Sequence, residues 1–474
     1  MTPGLKKLTD GFNVLQLYNT LTQKKEDFAP IDAGKIRMYV CGVTTYDYCH
    51  LGHGRMLVVF DVITRFLRYH GFDVTYVRNI TDIDDKIINR ANELGIAFDE
   101  LSEKFINIMH EDERALNILP PDIEPRATHH MQEILDMVGT LVEQGYAYAA
   151  DNGDVYFSVS KFPDYTKLSK RNLDEMLAGA RVVVDEAKRD ARDFALWKAA
   201  KPDEPGWDSP WGFGRPGWHI ECSAMSTQCL GETFDIHGGG SDLIFPHHEN
   251  EIAQSECATG KEFARYWLHN GPLRIDDEKM SKSLGNFFTI RQVLEQYSPE
   301  VIRYFLISSH YRSAINYSED NLGQASGALE RFYNALKGID YTDVAPAENT
   351  EFENRFGVSM KDDFNTPEAI GVLFDLAREI NRLKQEDMAA ASSLAALLVK
   401  LGAVLGILQL SAEDFLRRGS EDIDAAYIEE LINKRNMARE EKDWVLADQI
   451  RDELKALNVI LEDKDGVTSW RFEK

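Results

Sequence analysis

Three consecutive segments near the N-terminal end do most to limit what this chain can fold into. Lys35 to Cys41 is a short apolar run rich in strand formers. Gly54 to His70 carries apolar residues at helical spacing (Leu57, Phe60, Ile63, Phe66, Leu67) and stops at Gly71. Asp73 to Ile80 reads as another strand. Strand, loop, helix, strand is a βαβ unit, and such a crossover makes a parallel sheet. The loop ahead of the helix ends in His50-Leu51-Gly52-His53. These residues therefore sit at or just before a helix N-terminus, where free N–H groups and the helix dipole favour an anion.

A second set of the same kind appears later. Thr233 to His237 is strand-like, Pro246 starts a helix running to about Cys257, and Arg265 to His269 is strand-like again. Gly271-Pro272 then leads into Lys279-Met280-Ser281-Lys282-Ser283. A Rossmann-like sheet built in two halves accounts for both sets. Between them the character changes: Tyr146 to Ser160 reads as a hairpin turned at Asp151-Asn152-Gly153, and Lys201 to Gly217 as a Pro-, Gly- and Trp-rich ordered loop. Beyond Ser318 the pattern predicts helices near 319–338, 360–386 and 391–409, then a charged linker from Glu413 to Asp424. Helices near 425–441 and 443–457 and a strand-like tail ending at Trp470 follow.

The fold class expected is α/β. A Rossmann-like parallel-sheet catalytic domain (14–114 and 217–318) is split by a connective insertion (115–216). A helical bundle (319–412) and a small C-terminal α/β unit (413–474) follow. A length of 474 residues suits about three domains. Met1 to Asn13 has lysines with no apolar run after them, which is not a secretory pattern. Leu394 to Leu410 is apolar enough to be mistaken for a membrane span, but Lys400, Gly402, Gly406 and Gln409 interrupt it, and a buried bundle helix is the better reading. Five cysteines, an odd number, point to a reducing compartment and leave metal or catalytic roles open. A formal net charge of −26 argues against indiscriminate nucleic-acid binding, although a local basic surface can still hold one specific RNA.

Two short cationic segments so far apart in sequence suit a fold that closes both around a polyphosphate. His50 and His53 read equally as a capped helix start, and Asp276-Asp277-Glu278-Lys279 as a solvated charge run. Cys41 ends the first strand, at the mouth of the sheet. Cys222 follows the insertion, and His247 and Glu251 lie four apart, on one helical face. Two thiolates, an imidazole and a carboxylate make a reasonable zinc set. A buried strand cysteine and a polar helix start are the plainer account of the same residues, and His248 rivals His247. Cys49, Cys229 and Cys257 lack metal-like spacing. In the tail, Lys434, Arg435, Arg439, Trp444 and Arg451 suit either a base-stacking surface or a solvated helix face over a buried Trp.

The two cationic segments resemble the HIGH and KMSKS motifs of class I aminoacyl-tRNA synthetases, with Leu51 in place of Ile. Met38 to Gly42, Tyr46-Asp47, Cys49 to Arg55, Arg78 to Lys86, Gly217 to Met225 and Phe234 to Ser255 together resemble cysteinyl-tRNA synthetase. The likeness covers about 35–315 strongly and the remainder less so, with Lys361 to Pro367 resembling the family's bundle. It implies one zinc ion on Cys41, Cys222, His247 and Glu251 that takes the substrate thiol as a thiolate. It implies His50, His53, Lys279 and Lys282 as catalytic groups, with Lys282, His50, His53 and Gly238, Gly239 and Gly240 binding ATP, which enters with Mg2+. Trp218 would pack beside the substrate sulfur, and Thr81, His237 and Asp242 would hold its amino and carboxylate groups. The activity implied is ATP-dependent charging of tRNA(Cys) with L-cysteine by a cytoplasmic monomer, without a membrane. An insertion of about a hundred residues looks small for a hydrolytic editing domain. Two rivals remain: a ligase joining cysteine to an amino-sugar, against which residues 320–474 argue, and a non-catalytic RNA-binding descendant, against which intact His50, His53, Lys279 and Lys282 argue.

Overall fold

A computed structural model describes residues 14–172, 187–275, 278–279, 287–417, 425–456, 459–464 and 467–472. The chain divides into two compact units. The first comprises the described residues of Met1–Leu322 with Glu351–Val372 and Val404–Gly406; the second comprises Gly323–Thr350, Leu373–Ala403 and the described residues of Ile407–Lys474.

The first unit is built on a four-stranded parallel sheet in the order Ala264–Asn270, Phe234–Gly240, Lys35–Val40, Asp73–Arg78. Ile36, Met38, Tyr39 and Val40 are all buried, the unbroken apolar run of a strand covered on both faces. The two halves of the Rossmann-like sheet meet where Met38 pairs with Ile236, Tyr39 with His237 and Val40 with Gly238. The chain leaves these two strands toward opposite edges, so this seam is the topological switch point, where α/β sheets bind ligands at their C-terminal ends.

The crossover helix spans Leu51–Tyr69, starting three residues ahead of the predicted Gly54 because His50 caps it. The second crossover departs more from expectation. Residues Ile244–His248 form a wide π-turn with Phe245 extended (φ −142°), and the α-helix Glu249–Thr259 begins only after it. His247 and Glu251 therefore do not share a regular helix, although the turn still brings them together.

In the insertion, the predicted hairpin appears as Ala147–Ala149 and Val155–Phe157. Phe194–Ala199 and Gly214–Pro216 extend it to four antiparallel strands, so the predicted loop 201–217 ends in an edge strand. Val155, Phe157, Leu196 and Trp197 pack in one core with Ile220, Ala224 and Ala253. The insertion thus rests on the helices Trp218–Leu230 and Glu249–Thr259, which carry Cys222 and Glu251.

The predicted helix 360–386 is broken into Glu351–Lys361 and Thr366–Leu383. Asp363 and Phe364 take positive φ (58° and 53°) at the break. The buried Asp363 carboxylate accepts from Tyr18 N–H at 2.9 Å, Tyr311 O–H at 2.9 Å and Arg312 Nε–H at 2.7 Å. One buried carboxylate with three donors outweighs two continuous turns of helix, because leaving it unpaired would cost several kcal/mol, on the order of 3.

In the second unit, Phe332 stacks on Phe374 and Tyr333 on Phe415. The helix Met388–Leu405 is long and apolar enough to cross a membrane, but half of it is buried, including Ala391, Ala395, Leu397, Leu398 and Leu401. The first half of the predicted linker 413–424 folds as the helix Ala412–Arg417, with Phe415 buried. The helices Ala425–Glu440 and Trp444–Ala456 share a core of Ile428, Leu431, Ile432, Ile450 and Leu454. The predicted single tail strand is a hairpin, Val459–Lys464 paired with Val467–Phe472.

Candidate metal centre and active site

Cys41 continues the strand Lys35–Val40, its N–H donating to Gly238 O at 3.0 Å across the switch point. The chain then passes so close to Asn79 that a Cβ on Gly42 would lie 1.8 Å from Asn79 O. This approach lets Thr44 bridge Thr81 and brings Thr81 to the same end of the sheet.

Cys41 Sγ lies 3.6 Å from Cys222 Sγ and 3.3 Å from Glu251 Oε1, and His247 Nε2 lies 3.0 Å from that same oxygen. The four donor atoms all fall within 4.8 Å of one another, and all four residues are buried. Two sulfurs on a tetrahedral zinc, each about 2.3 Å from the ion, stand about 3.8 Å apart. The thiol spacing fits that geometry. Cys41, His237, His248 and Glu251 also cluster within 4.8 Å. That set offers one sulfur, and His248 Nε2 stays 3.9 Å from Glu251 while its Nδ1 is engaged with His269 at 2.8 Å. A thiolate-preferring ion favours the first set and His247.

The electrostatics agree. The hydrogen bond from Cys41 lowers the Cys222 thiol to about 6, against burial and the Glu251 charge, and His247 adds to the lowering. Burial, with Cys222 beside it, pushes Cys41 well above the ordinary thiol range. Burial opposes charge on His247, yet Glu251 and Cys222 raise it to about 10. Burial likewise opposes ionisation of Glu251, but His237 and His247 hold it well below the usual carboxylate range. A buried carboxylate beside a ready thiolate suits a soft divalent cation.

Further imidazoles support the donors. His219 Nδ1 lies 2.8 Å from His247 Nδ1, and His237 Nε2 lies 2.8 Å from Glu251 Oε2. His269 links His248 to Thr20 Oγ1, 2.8 Å from its Nδ1. Burial, reinforced by neighbouring histidines, drives His219 and His248 well below the usual imidazole range and His269 to about 3. These rings stay neutral and can orient ligands, as outer-shell groups do at metal sites. His219 lies within the Gly217 to Met225 run, and its place beside His247 depends on the fold.

His237, expected at the substrate, lies deep beside the metal donors. The ring has no exposed surface, stacks on Trp267 at 4.4 Å and already engages Glu251. It is placed to orient that carboxylate. Trp218 is 37% exposed with its ring 4.1 Å from that of His247, so it covers the ligand from the open side. Thr81 is buried and Asp242 exposed. Glu221, which the sequence reading passed over, is a buried carboxyl at hydrogen-bonding reach of Thr81, and burial and Cys222 raise it well above the carboxylate range.

His50 and His53 close their helix reciprocally. His50 Nδ1 accepts the His53 N–H at 3.1 Å, and His53 Nδ1 accepts the His50 N–H at 3.4 Å. The rings stack with centroids 3.6 Å apart. With each Nδ1 an acceptor, each neutral ring carries its proton on Nε2 and offers it as a donor. The capped helix start, one of the two readings the sequence allowed, is formed.

The glycine triplet has a packing reason of its own. A Cβ on Gly238 would meet Phe60 Cε1 at 2.3 Å, one on Gly239 His248 Cε1 at 3.0 Å, and one on Gly240 Asp242 Oδ1 at 2.5 Å. Lys279 pairs through its backbone with Arg274, whereas Lys282 lies outside the described residues. In the tail Trp444 is 60% exposed, which removes the buried-Trp reading, and Lys434 and Arg451 pair with Glu430 and Asp448 on the surface. Arg439 is exposed, but Arg435 is buried and unsuited to a phosphate.

Residues 27–327 match the family described as tRNA synthetases class I (C) catalytic domain. Residues 355–409 match the DALR domain, and 423–471 the cysteinyl-tRNA ligase anticodon binding domain. Proteins named cysteine–tRNA ligase are similar over almost the whole chain. The Pseudomonas putida (strain GB-1) protein is 63% identical over 460 residues, covering 97% of this chain and 100% of that one. The Pseudomonas syringae pv. syringae (strain B728a) protein is 62% identical with the same coverage. The chain belongs to the cysteine–tRNA ligase family. Among solved structures, Mycobacterium tuberculosis methionyl-tRNA synthetase in complex with methionyl-adenylate is similar, with a TM-score of 0.55, 16% identity and 78% of this chain and 89% of that one covered. A putative arginyl-tRNA synthetase from Campylobacter jejuni is also similar, with a TM-score of 0.52, 12% identity and 80% and 93% covered. Identity that low speaks to the fold alone, and it is the class I synthetase fold. The anticodon-binding match over the tail weighs further against an amino-sugar ligase within the cysteine–tRNA ligase likeness.

Proposed function

We propose that this chain is a cysteine–tRNA ligase, which activates L-cysteine with Mg–ATP and charges tRNA(Cys). The cysteine carboxylate attacks the α-phosphorus of ATP, the bond to the bridging oxygen breaks, and pyrophosphate leaves. The 2′-hydroxyl of the terminal adenosine then takes the cysteinyl group from the adenylate. No side chain need act as a nucleophile, so positioning and electrostatics carry the rate. His50 and His53 donate from Nε2 to phosphate oxygens, and the ammonium groups of Lys279 and Lys282 receive the leaving pyrophosphate. Thr81, His237 and Asp242 hold the amino and carboxylate groups, while Gly238, Gly239 and Gly240 line the adenosine.

The observation that carries the reading is the pairing of Cys41 with Cys222 at the switch point of the sheet, beside His247 and Glu251. A zinc ion held by these four supplies a thiolate-seeking Lewis acid, which favours a substrate thiol over the serine hydroxyl. Packing alone separates such near-isosteres by about 10²-fold, so the donor set supplies the remaining selectivity without an editing domain. The ring of Trp218 shields His247 from water. Exposed Trp444, with Lys434, Arg439 and Arg451 nearby in sequence, suits stacking and phosphate contacts in an anticodon loop. One chain supplies all four donors, so a monomer suffices for the site, and five free cysteines suit the reducing cytoplasm.

Pyrophosphate exchange dependent on cysteine and ATP, without RNA, tests the activation step, and metal content tests the site. One zinc per chain is expected, with loss of both zinc and exchange in Cys222→Ser. Metal-free protein that still prefers cysteine to serine would overturn the zinc assignment, and zinc-loaded protein without exchange would overturn the enzyme reading.

A further inference from the structure

The described residues on either side of the lysine segment are tied to the helix Leu51–Tyr69, those after it directly and those before it through neighbouring strands and a turn. At its far end, Leu51 N–H donates to Phe288 O and Ile290 N–H to Cys49 O, each at 2.9 Å, and His50 bridges Thr289. At its near end, Glu278–Lys279 pairs with Leu273–Ile275, which pairs in turn with Ile315–Tyr317. The turn leading into that last strand closes on one side chain, Arg55. Its Nη2 lies 3.3 Å from the carbonyl oxygens of His310 and Tyr311, 3.4 Å from Ser309 Oγ, and against Ser313 O. The same turn packs on the start of the near strand. Gly271 N–H donates to Tyr311 O at 2.8 Å, and a Cβ on Gly271 would fall 2.3 Å from Ser313 O.

Arg55 has no exposed surface. Among the described residues its Nε and Nη1 have no hydrogen-bond partner. Burial lowers it to about 10, so it stays charged at neutral pH. A buried cation held by neutral oxygens, with no carboxylate among its hydrogen-bond partners, is a poor choice for stability, since an apolar side chain of similar volume avoids the desolvation cost. What the guanidinium provides is geometric: its Nη2 reaches a point on which the oxygens of residues 309–313 converge.

We propose that Arg55 is a positioning residue for adenylate formation, holding the 309–313 turn, and through it the near anchor of the lysine segment, in register with His50 and His53 on its own helix. It touches no substrate. The inference rests on the reading of His50, His53 and the lysine segment as the ATP site.

The test uses full-length, zinc-loaded protein carrying Arg55→Lys or Arg55→Met, with His50→Ala as a control. The kcat of cysteine-dependent pyrophosphate exchange is expected to fall about 10-fold in Arg55→Lys and about 100-fold in Arg55→Met, the loss a displacement of about 1 Å produces. The KM for cysteine and the zinc content should stay within about 2-fold, because the metal centre lies on other elements. Should Arg55→Met not fold, Arg55→Lys still decides, since lysine keeps the charge but its shorter side chain ends short of the position Nη2 takes. Unchanged kcat in Arg55→Lys, or a parallel fall in kcat, cysteine KM and zinc content, overturns the proposal. If His50→Ala exchanges at the normal rate, the underlying reading of the ATP site fails instead.

Discussion

Arg303 and Asp61 form an ion pair in which each side chain is only 1% exposed. Arg303 also donates from Nε to Leu405 O at 2.8 Å and from Nη1 to Leu116 O at 3.0 Å, while Asp61 accepts the Leu119 N–H at 2.9 Å. One interaction thus joins the helix Pro299–Ile307, the helix Leu51–Tyr69 and the segments around 116 and 405. Removing one partner leaves a buried charge, so Asp61→Asn or Arg303→Met should each destabilise the first unit by about 3–5 kcal/mol. Denaturant unfolding of the single and double variants measures this. A double variant no better than the sum of the singles would show that the pair is not coupled.

Gly52 sits under the ring of His50, where a Cβ would lie 3.0 Å from both Cε1 and Nδ1. Alanine is the better helix former by about 1 kcal/mol, so stability and activity should part. Gly52→Ala is expected to melt no lower than the parent while cysteine activation falls about 10-fold, because the His50–His53 stack is pushed out of place. A variant with normal exchange would mean the ring arrangement does not matter to the chemistry.

His219 touches His247 but is not among the four donors. Loss of such an orienting group typically weakens metal affinity by about 10- to 100-fold. His219→Ala should therefore yield zinc to a competing chelator at correspondingly lower concentration. Competition titrations against a chromophoric chelator give the number, and an unchanged affinity would place His219 outside the metal's support.

A pH-dependent contribution comes from His110 and Glu124, whose Nε2 and Oε2 lie 2.8 Å apart. The hydrogen bond to Glu124 raises His110 against burial. Burial would raise Glu124, but His110 and Arg78 hold it below its ordinary value. A raised imidazole stabilises the fold below its unfolded value of about 6.5, and that stability is lost as pH climbs through the folded value. A depressed carboxylate stabilises above its unfolded value of about 4.5, and that is lost as pH falls. The pair should help most between about 4.5 and 6.5, by on the order of 1 kcal/mol or less, since both groups are partly solvated. Urea unfolding of His110→Gln should show a larger deficit at pH 5.5 than at pH 8, and equal deficits would dismiss the charge contribution.

Local patterns carried far. The apolar run 35–41, the helical spacing from 54 to 70 and the strand at 73–80 depend on near-neighbour sterics and solvent, so they read directly from the chain. The Asp363 break did not, because the residues that justify it, Tyr18, Tyr311 and Arg312, lie far away in sequence. Even so, Asn365-Thr366-Pro367 is a local helix-start signal at that break.

By itself the sequence determined the two-half parallel sheet, the cationic segment at a helix start and a set of residue types able to bind a soft metal. Those follow from periodicity and from the chemistry of single side chains. Only the tertiary structure decided that Cys41 stands 3.6 Å from Cys222, that His237 lies behind Glu251, and that Thr289, beyond the lysine segment, bridges His50. Such facts belong to pairs of residues distant along the chain. Their separation is set by strand order and close packing, and no local pattern encodes either.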